Sequence, residues 1–227
     1  MNILTITGWG QKLDSLDQFA SKFGKVKNLP YVNYKDFDEV VVRAKKFAKE
    51  TDIIIGWSLG AQIAVRLVER KVLKPRLLVL LAPPFQYVSS NEISSGINHF
   101  LFYAFQQAYS AFPSNTLRKF GVLVCQNDDH AMSIIETMDD DMTHHNGWIK
   151  WLEELGNFSC TNLNYSKFPK TLIFHGDGDA VTNLEQGKMF KKHIHGSKLY
   201  VIKKCGHAPH LHDPDFIGNK IKEALKK

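Results

Sequence analysis

Gly56-Trp57-Ser58-Leu59-Gly60 has the residue types and spacing of a serine nucleophile held on a sharp turn. A serine hydroxyl attacks a carbonyl only when it projects clear of the chain and a neighbouring base takes its proton. A tight passage from strand to helix does the projecting. It leaves no room for side chains at the two flanking positions, hence a glycine at each. The same turn sets the N–H of Leu59 at a helix start, aimed at the oxygen where negative charge develops during attack. A turn without chemistry would need only the glycines. Here an apolar run, Asp52–Gly56, lies directly before the serine and an amphipathic stretch, Ala61–Arg70, directly after.

The base and its orienting acid must come from elsewhere in the chain. In an open parallel sheet they belong just beyond the carboxyl ends of later strands. Two segments fit: His175-Gly176-Asp177-Gly178-Asp179-Ala180-Val181, after the run Thr171–His175, and Lys204-Cys205-Gly206-His207-Ala208-Pro209, after Leu199–Ile202. His207 is the preferred base, because Gly206 permits a tight loop there, while His210 and His212 read as ordinary core or surface histidines. Asp179 is preferred to Asp177 as the acid, because it precedes a small-then-apolar pair. Asp177 then shapes the turn beside glycine. A second donor to the oxyanion is expected from the Trp9 N–H in Gly8-Trp9-Gly10, which follows the first apolar run. Cys205 lacks an elbow and is not read as a nucleophile.

These positions imply the elements that carry them. Asn2–Thr7, Asp52–Gly56, Arg76–Ala82, Thr171–His175 and Leu199–Ile202 read as strands, with Val26–Tyr34 a weaker candidate. Between them Ser15–Phe23, Phe37–Lys49, Ala61–Arg70, Leu184–His193 and Pro214–Leu225 read as helices. Such alternation predicts an α/β fold with a mostly parallel central sheet and helices on both faces. From Pro83-Pro84 to about Lys167 the alternation stops and the pattern is helical and aromatic. The expected division is therefore a core of residues 1–83 and 169–227 with an inserted helical cap of residues 84–168. Phe100, Phe102, Tyr103, Phe105, Tyr109, Phe112 and Phe120 either line a pocket for an acyl chain or fill the cap's own core.

The chain of 227 residues is 44% hydrophobic and 23% charged, which suits one well-buried domain and not disorder. No apolar run is long enough to span a bilayer, and the N-terminus has neither the basic flank nor the apolar stretch of a signal peptide. Cys125, Cys160 and Cys205 form no C-x-x-C pair, so reduced thiols and a cytoplasmic setting are expected. Met138-Asp139-Asp140-Asp141 and His144-His145 invite a metal reading, but consecutive acids do not share a helical face. No metal, cofactor, membrane or nucleic-acid partner is expected. The formal charge is +6, from 29 basic and 23 acidic side chains, and favours an acidic partner.

Taken together, Gly8-Trp9-Gly10, the Gly56–Gly60 turn, Gly176–Asp179 and Gly206-His207-Ala208-Pro209 resemble the pimeloyl-[acyl-carrier protein] methyl ester esterases of biotin synthesis, within the α/β-hydrolase superfamily. The resemblance covers Met1–Pro83 and roughly Lys170–Lys227. It implies hydrolysis of a methyl ester on a carrier-bound pimeloyl chain, with Ser58 as nucleophile, His207 as base, Asp179 as its partner, and Trp9 and Leu59 at the oxyanion. It also implies an acyl-carrier protein as partner, for which Arg118, Lys119 and Lys150 in the cap are the expected contacts. Thr7 departs from the pattern, standing where many relatives have histidine. The chain also begins directly on the central strand. The same three catalytic side chains would serve another small-ester hydrolase or a thioesterase. A noncatalytic binding protein of this fold would have no use for all three in order.

Overall fold

A computed structural model describes residues 1–128 and 132–226. Residues 129–131 of the expected cap and Lys227 of the expected core lie outside the described residues. Six strands, β1 (Asn2–Ile6), β2 (Lys25–Asn28), β3 (Ile53–Trp57), β4 (Leu77–Leu81), β5 (Lys170–Gly176) and β6 (Lys198–Ile202), form one sheet in the order β2-β1-β3-β4-β5-β6. Every adjacent pair is parallel. Every residue of β3 and β4 is buried, which explains continuous apolar runs in place of alternation. The helix Leu59–Glu69 packs on β1 and β3, and Leu184–His193 packs on β5 and β6.

The sheet brings the chemistry-bearing loops together. In a parallel sheet all carboxyl ends share one edge, and the chain order here reverses between β1 and β3. That reversal opens the crevice where such sheets place their ligands. The loops after β1 and β3 carry Trp9 and Ser58, while Asp179 and His207 follow β5 and β6 along the same edge.

Several expected elements are shorter than their sequence patterns, among them the helix expected at Phe37–Lys49, which ends at Ala44 and passes into a 3-10 turn, Lys45–Phe47. Only Val26–Asn28 of Val26–Tyr34 joins the sheet, in a strand that starts one residue earlier at Lys25, because Pro30 has no N–H to donate and the chain turns into a 3-10 helix at Tyr31–Asn33. Ser15–Phe23 divides into a single α-turn, Asp17–Ala20, and a 3-10 turn, Ser21–Phe23. Phe37–Ala44 starts cleanly, since the Asp36 carboxylate accepts the Glu39 N–H at 2.8 Å.

Between β4 and β5 the described residues hold the helices His99–Ala111, Pro113–Val124, Met132–Ile135 and His145–Asn157. Arg66 joins this segment to the sheet-bound helix Leu59–Glu69. Its guanidinium lies between the rings of Phe37 and Phe158, 3.6 and 3.8 Å from their centres. It also pairs with Glu154 of the helix His145–Asn157 at 2.7 Å.

Candidate active site

The Ser58 backbone adopts φ 54° and ψ −123°, a conformation that L-residues rarely hold. The glycines explain how the turn closes. A Cβ on Gly60 would lie 2.0 Å from the Ile6 carbonyl oxygen, and one on Gly56 would lie 2.6 Å from Ala61 Cα. Both neighbours are backbone and cannot yield. Leu59 is the first residue of the following helix, so its N–H has no intrahelical partner.

Ser58 Oγ stands 2.8 Å from His207 Nε2, and His207 Nδ1 stands 2.8 Å from Asp179 Oδ2. Because Asp179 accepts from Nδ1–H, the neutral imidazole presents the Nε2 lone pair to the serine proton. The His207 main chain is fixed on both sides: its N–H donates to Val124 O at 3.2 Å and its carbonyl accepts the Trp57 indole N–H at 2.8 Å.

The Asp179 side chain is fully buried among donors. Its Oδ1 accepts the N–H groups of Val181 and Thr182, at 2.8 and 2.9 Å. Its Oδ2 accepts the Thr182 hydroxyl at 2.9 Å and lies 3.3 Å from His175 Nε2, besides the bond from His207. Burial alone would raise its pKa. The neighbouring His207 and His175, with their hydrogen bonds, outweigh burial and hold the carboxyl far below its usual range. Asp177 is elsewhere, paired with Lys203 at 3.2 Å and accepting the Lys204 N–H at 2.8 Å.

Two site residues escape sequence reasoning. Thr182 contacts both Asp179 and His207 Nδ1, the latter at 3.1 Å, and also reaches Ala82 O at 3.3 Å. His175 donates through Nε2 to Thr182 O at 2.8 Å, and its buried Nδ1 has no hydrogen-bond partner among the described residues. The only local signal was a threonine three residues after the acid, which is ordinary turn chemistry.

Trp9 is buried, with its indole N–H donating to Trp148 O at 2.7 Å. Around it stand Phe105, Tyr109 and Phe120, at ring distances of 5.4, 4.8 and 5.3 Å. A Cβ on Gly8 would lie 3.3 Å from Ser58 Cβ, so the loop after β1 runs directly beside the serine. Phe100, Tyr103 and Phe112 point to solvent, so the aromatic set splits between the interior and the surface.

The remaining candidates have other partners. Asp139 holds His144 Nδ1 at 2.8 Å and accepts the Trp148 indole N–H at 3.0 Å. Asp128, Cys205 and His212 each bring one donor atom within 4.8 Å of the others. Asp128 there accepts the Gly206 N–H at 3.2 Å and His212 Nδ1 at 2.9 Å, which braces the loop before His207. Arg118, Lys119 and Lys150 are exposed.

A family model described as the alpha/beta hydrolase family matches residues 7–218. The chain belongs to that family. The pimeloyl-[acyl-carrier protein] methyl ester esterase of Nitrosospira multiformis is 23% identical over 193 residues, which are 82% of this chain and 73% of that protein. A biotin biosynthesis bifunctional protein of Teredinibacter turnerae is 22% identical, over 85% of this chain and 36% of its own length. An esterase from Exiguobacterium antarcticum superposes with a TM-score of 0.87 at 16% identity, covering all of this chain and 92% of that one. The six-stranded parallel sheet is thus that of an α/β hydrolase, and the similarity to the methyl ester esterases extends over most of the chain. No helix among the described residues of this α/β hydrolase is long and apolar enough to cross a membrane.

Proposed function

We propose that this α/β hydrolase is a serine carboxylesterase that cleaves the methyl ester of pimeloyl-acyl-carrier protein, releasing pimeloyl-acyl-carrier protein and methanol for biotin synthesis. Family membership and similarity to esterases support ester hydrolysis. The observation that carries the mechanism is the unbroken relay from Ser58 Oγ through His207 to Asp179, each step 2.8 Å. Ser58 Oγ attacks the ester carbonyl carbon as His207 Nε2 takes its proton. The oxyanion meets the N–H groups of Leu59 and Trp9. Collapse of the tetrahedral intermediate expels methanol, which takes the proton from His207 and leaves the acyl group on Ser58. Water, deprotonated by His207, then attacks that acyl group and frees the acid. Asp179 keeps the imidazole in the required tautomer throughout. Residues 84–168 serve as a cap over the serine, and the carrier protein docks on that cap through Arg118, Lys119 and Lys150. Cys125, Cys160 and Cys205 form no disulfide with one another, which suits a cytoplasmic setting.

The test is to incubate the protein with pimeloyl-carrier protein methyl ester and with matched acyl thioesters, then identify the products by mass spectrometry. Loss of the methyl group with the thioester intact is expected. Cleavage at the thioester instead would make the chain a thioesterase. Ser58→Ala should lower turnover by about 10⁴-fold or more, and near wild-type turnover would remove Ser58 from the mechanism.

A further inference from the structure

In this structure Ser58 is 7% exposed and His207 1% exposed, and the segment between β4 and β5 reaches the site where Val124 O accepts the His207 N–H at 3.2 Å. That segment also grips the loop bearing the proposed oxyanion donor Trp9. Its stretch Thr137–Asp139 lies alongside Gly10–Lys12: the Asp139 N–H donates to Gly10 O and the Lys12 N–H donates to Thr137 O, both at 2.8 Å. The Gln11 side chain is held there too, accepting the Thr137 hydroxyl at 2.6 Å. Gly10, at φ 69°, is seated so tightly that a Cβ would lie 2.8 Å from Leu117 Cδ2.

The bonds close into a ring. The Trp9 indole N–H donates to Trp148 O at 2.7 Å, and the Trp148 indole N–H donates to Asp139 Oδ2 at 3.0 Å. The Asp139 N–H reaches Gly10 O, and Gly10 is covalently next to Trp9. Asp139 is the one ionisable member of this ring. Its carboxylate is 9% exposed and also holds His144 Nδ1 at 2.8 Å. Its negative charge adds to burial in raising the pKa values of Tyr31 and Tyr109, which places that charge inside the aromatic cluster around Trp9. A hydrogen bond to an ionised acceptor is about twice as strong as a neutral one, and a buried one is poorly replaced by water.

We propose that Asp139 is a positioning residue for the oxyanion hole: by holding Trp148 and Gly10 together it fixes the Trp9 main chain beside Ser58. This rests on the assignment of Ser58 and Trp9 above. Asp139 touches no reacting atom. Its removal must therefore act on the transition state and spare ground-state binding, which a residue needed only for folding would not do.

The experiment compares wild type, Ser58→Ala, Asp139→Asn, Trp148→Phe and the Asp139→Asn/Trp148→Phe double variant. Each is assayed for kcat and KM on p-nitrophenyl butyrate and for the inhibition constant of an alkyl trifluoromethyl ketone. That ketone forms a hemiketal with serine whose oxygen occupies the oxyanion position. Asp139→Asn is nearly isosteric, and a cavity of about 120 Å³ beside Asp139 leaves the amide room. Asp139→Asn and Trp148→Phe should each lower kcat by about 10- to 100-fold, the loss expected when a catalytic group shifts by an ångström. KM should stay within about twofold, and ketone affinity should fall with kcat. The double variant should be little worse than either single one, because both weaken the same Trp148–Asp139 link of the ring. Near wild-type kcat and ketone affinity in Asp139→Asn, with Ser58→Ala inactive, would overturn the proposal and leave the nucleophile assignment intact. A raised KM at unchanged kcat would also overturn it, by making Asp139 part of the ester-binding wall. An active Ser58→Ala would instead refute the underlying site. Should Asp139→Asn fail to fold, Trp148→Phe, which keeps both the carboxylate and the carbonyl, decides the matter by the same readouts.

Discussion

At Asp179 one buried carboxylate collects the N–H groups of Val181 and Thr182, the Thr182 hydroxyl and the imidazoles of His207 and His175. A carboxylate so thoroughly satisfied is a poor proton acceptor and a good orienting group. Asp179→Asn should therefore cost about 10⁴-fold in kcat by favouring the wrong imidazole tautomer. Asp177→Asn should cost little, since that side chain serves Lys203 and the Lys204 N–H at the surface. Steady-state kinetics of the two variants checks the order, and equal losses would contradict it. The preference for Asp179 was legible in Ala180-Val181. Thr182 and His175 were not, because their partners lie across the closed site and no local spacing encodes them. His210 makes a second residue-level case. It is buried against the Trp57 ring with neither nitrogen hydrogen-bonded among the described residues, and burial, then the proximity of His207, pushes its pKa down to about 3. Between pH 3 and about 6.5 the unfolded chain binds a proton there and the folded chain does not. Stability should then fall with falling pH by up to about 1.4 kcal/mol per unit from this group alone. His210→Phe should match or exceed wild-type Tm at pH 7.5 and exceed it by more at pH 5. A margin that narrows on acidification would refute the burial account.

Elements show where the backbone leaves no alternative. At Gly60 a Cβ would press on the carbonyl oxygens of Ile6 and Thr7, at 2.0 and 2.4 Å, so Gly60→Ala must push β1 away from the nucleophile turn. A loss of about 3 kcal/mol, the upper part of the overpacking range, is expected. Gly218 is the contrast: a Cβ there would meet only the Phe23 ring at an ordinary 3.5 Å, inside the helix Pro214–Lys226. Gly218→Ala should stabilise by about 0.5–1 kcal/mol through the backbone entropy of the unfolded chain. Thermal unfolding of the pair should move Tm in opposite directions, and a like shift would count against the collision at Gly60. The same physics decides what could be read from sequence. The runs Ile53-Ile54-Ile55 and Leu77–Leu81 have every residue buried, so their apolar content announced strands. The edge strand β2 is partly solvated, and Pro30 cut its pattern short. Between β4 and β5, helical character was legible, but the aromatics point both ways. Phe102 and Tyr109 face inward while Phe100 and Tyr103 on the same helix face water, and composition alone does not sort them.

For the whole molecule the relevant quantity is charge. The formal +6 does not specify a fold, but it biases encounters with acidic partners. Arg118 and Lys119 sit exposed on the helix Pro113–Val124, whose Leu117 abuts Gly10 in the loop beside Ser58. They are exposed on a helix that touches the loop beside Ser58, whereas most lysines of the chain are scattered elsewhere. Exposed charges act over roughly a Debye length, about 8 Å at physiological salt, and weaken as salt rises. If an acidic carrier protein delivers the ester, Arg118→Glu/Lys119→Glu should raise KM for the carrier-bound ester severalfold at low salt, and the difference should shrink at high salt. A short ester such as p-nitrophenyl butyrate needs only the nucleophile, its base and the oxyanion donors, so its kcat/KM should scarcely change. The decisive measurement is kcat/KM for both substrates at two ionic strengths. Equal losses on both would indicate that the substitutions disturb the helix over Gly10, and hence the oxyanion loop. A carrier-bound substrate indifferent to salt and to charge reversal would mean that the acyl chain, not the carrier, provides recognition.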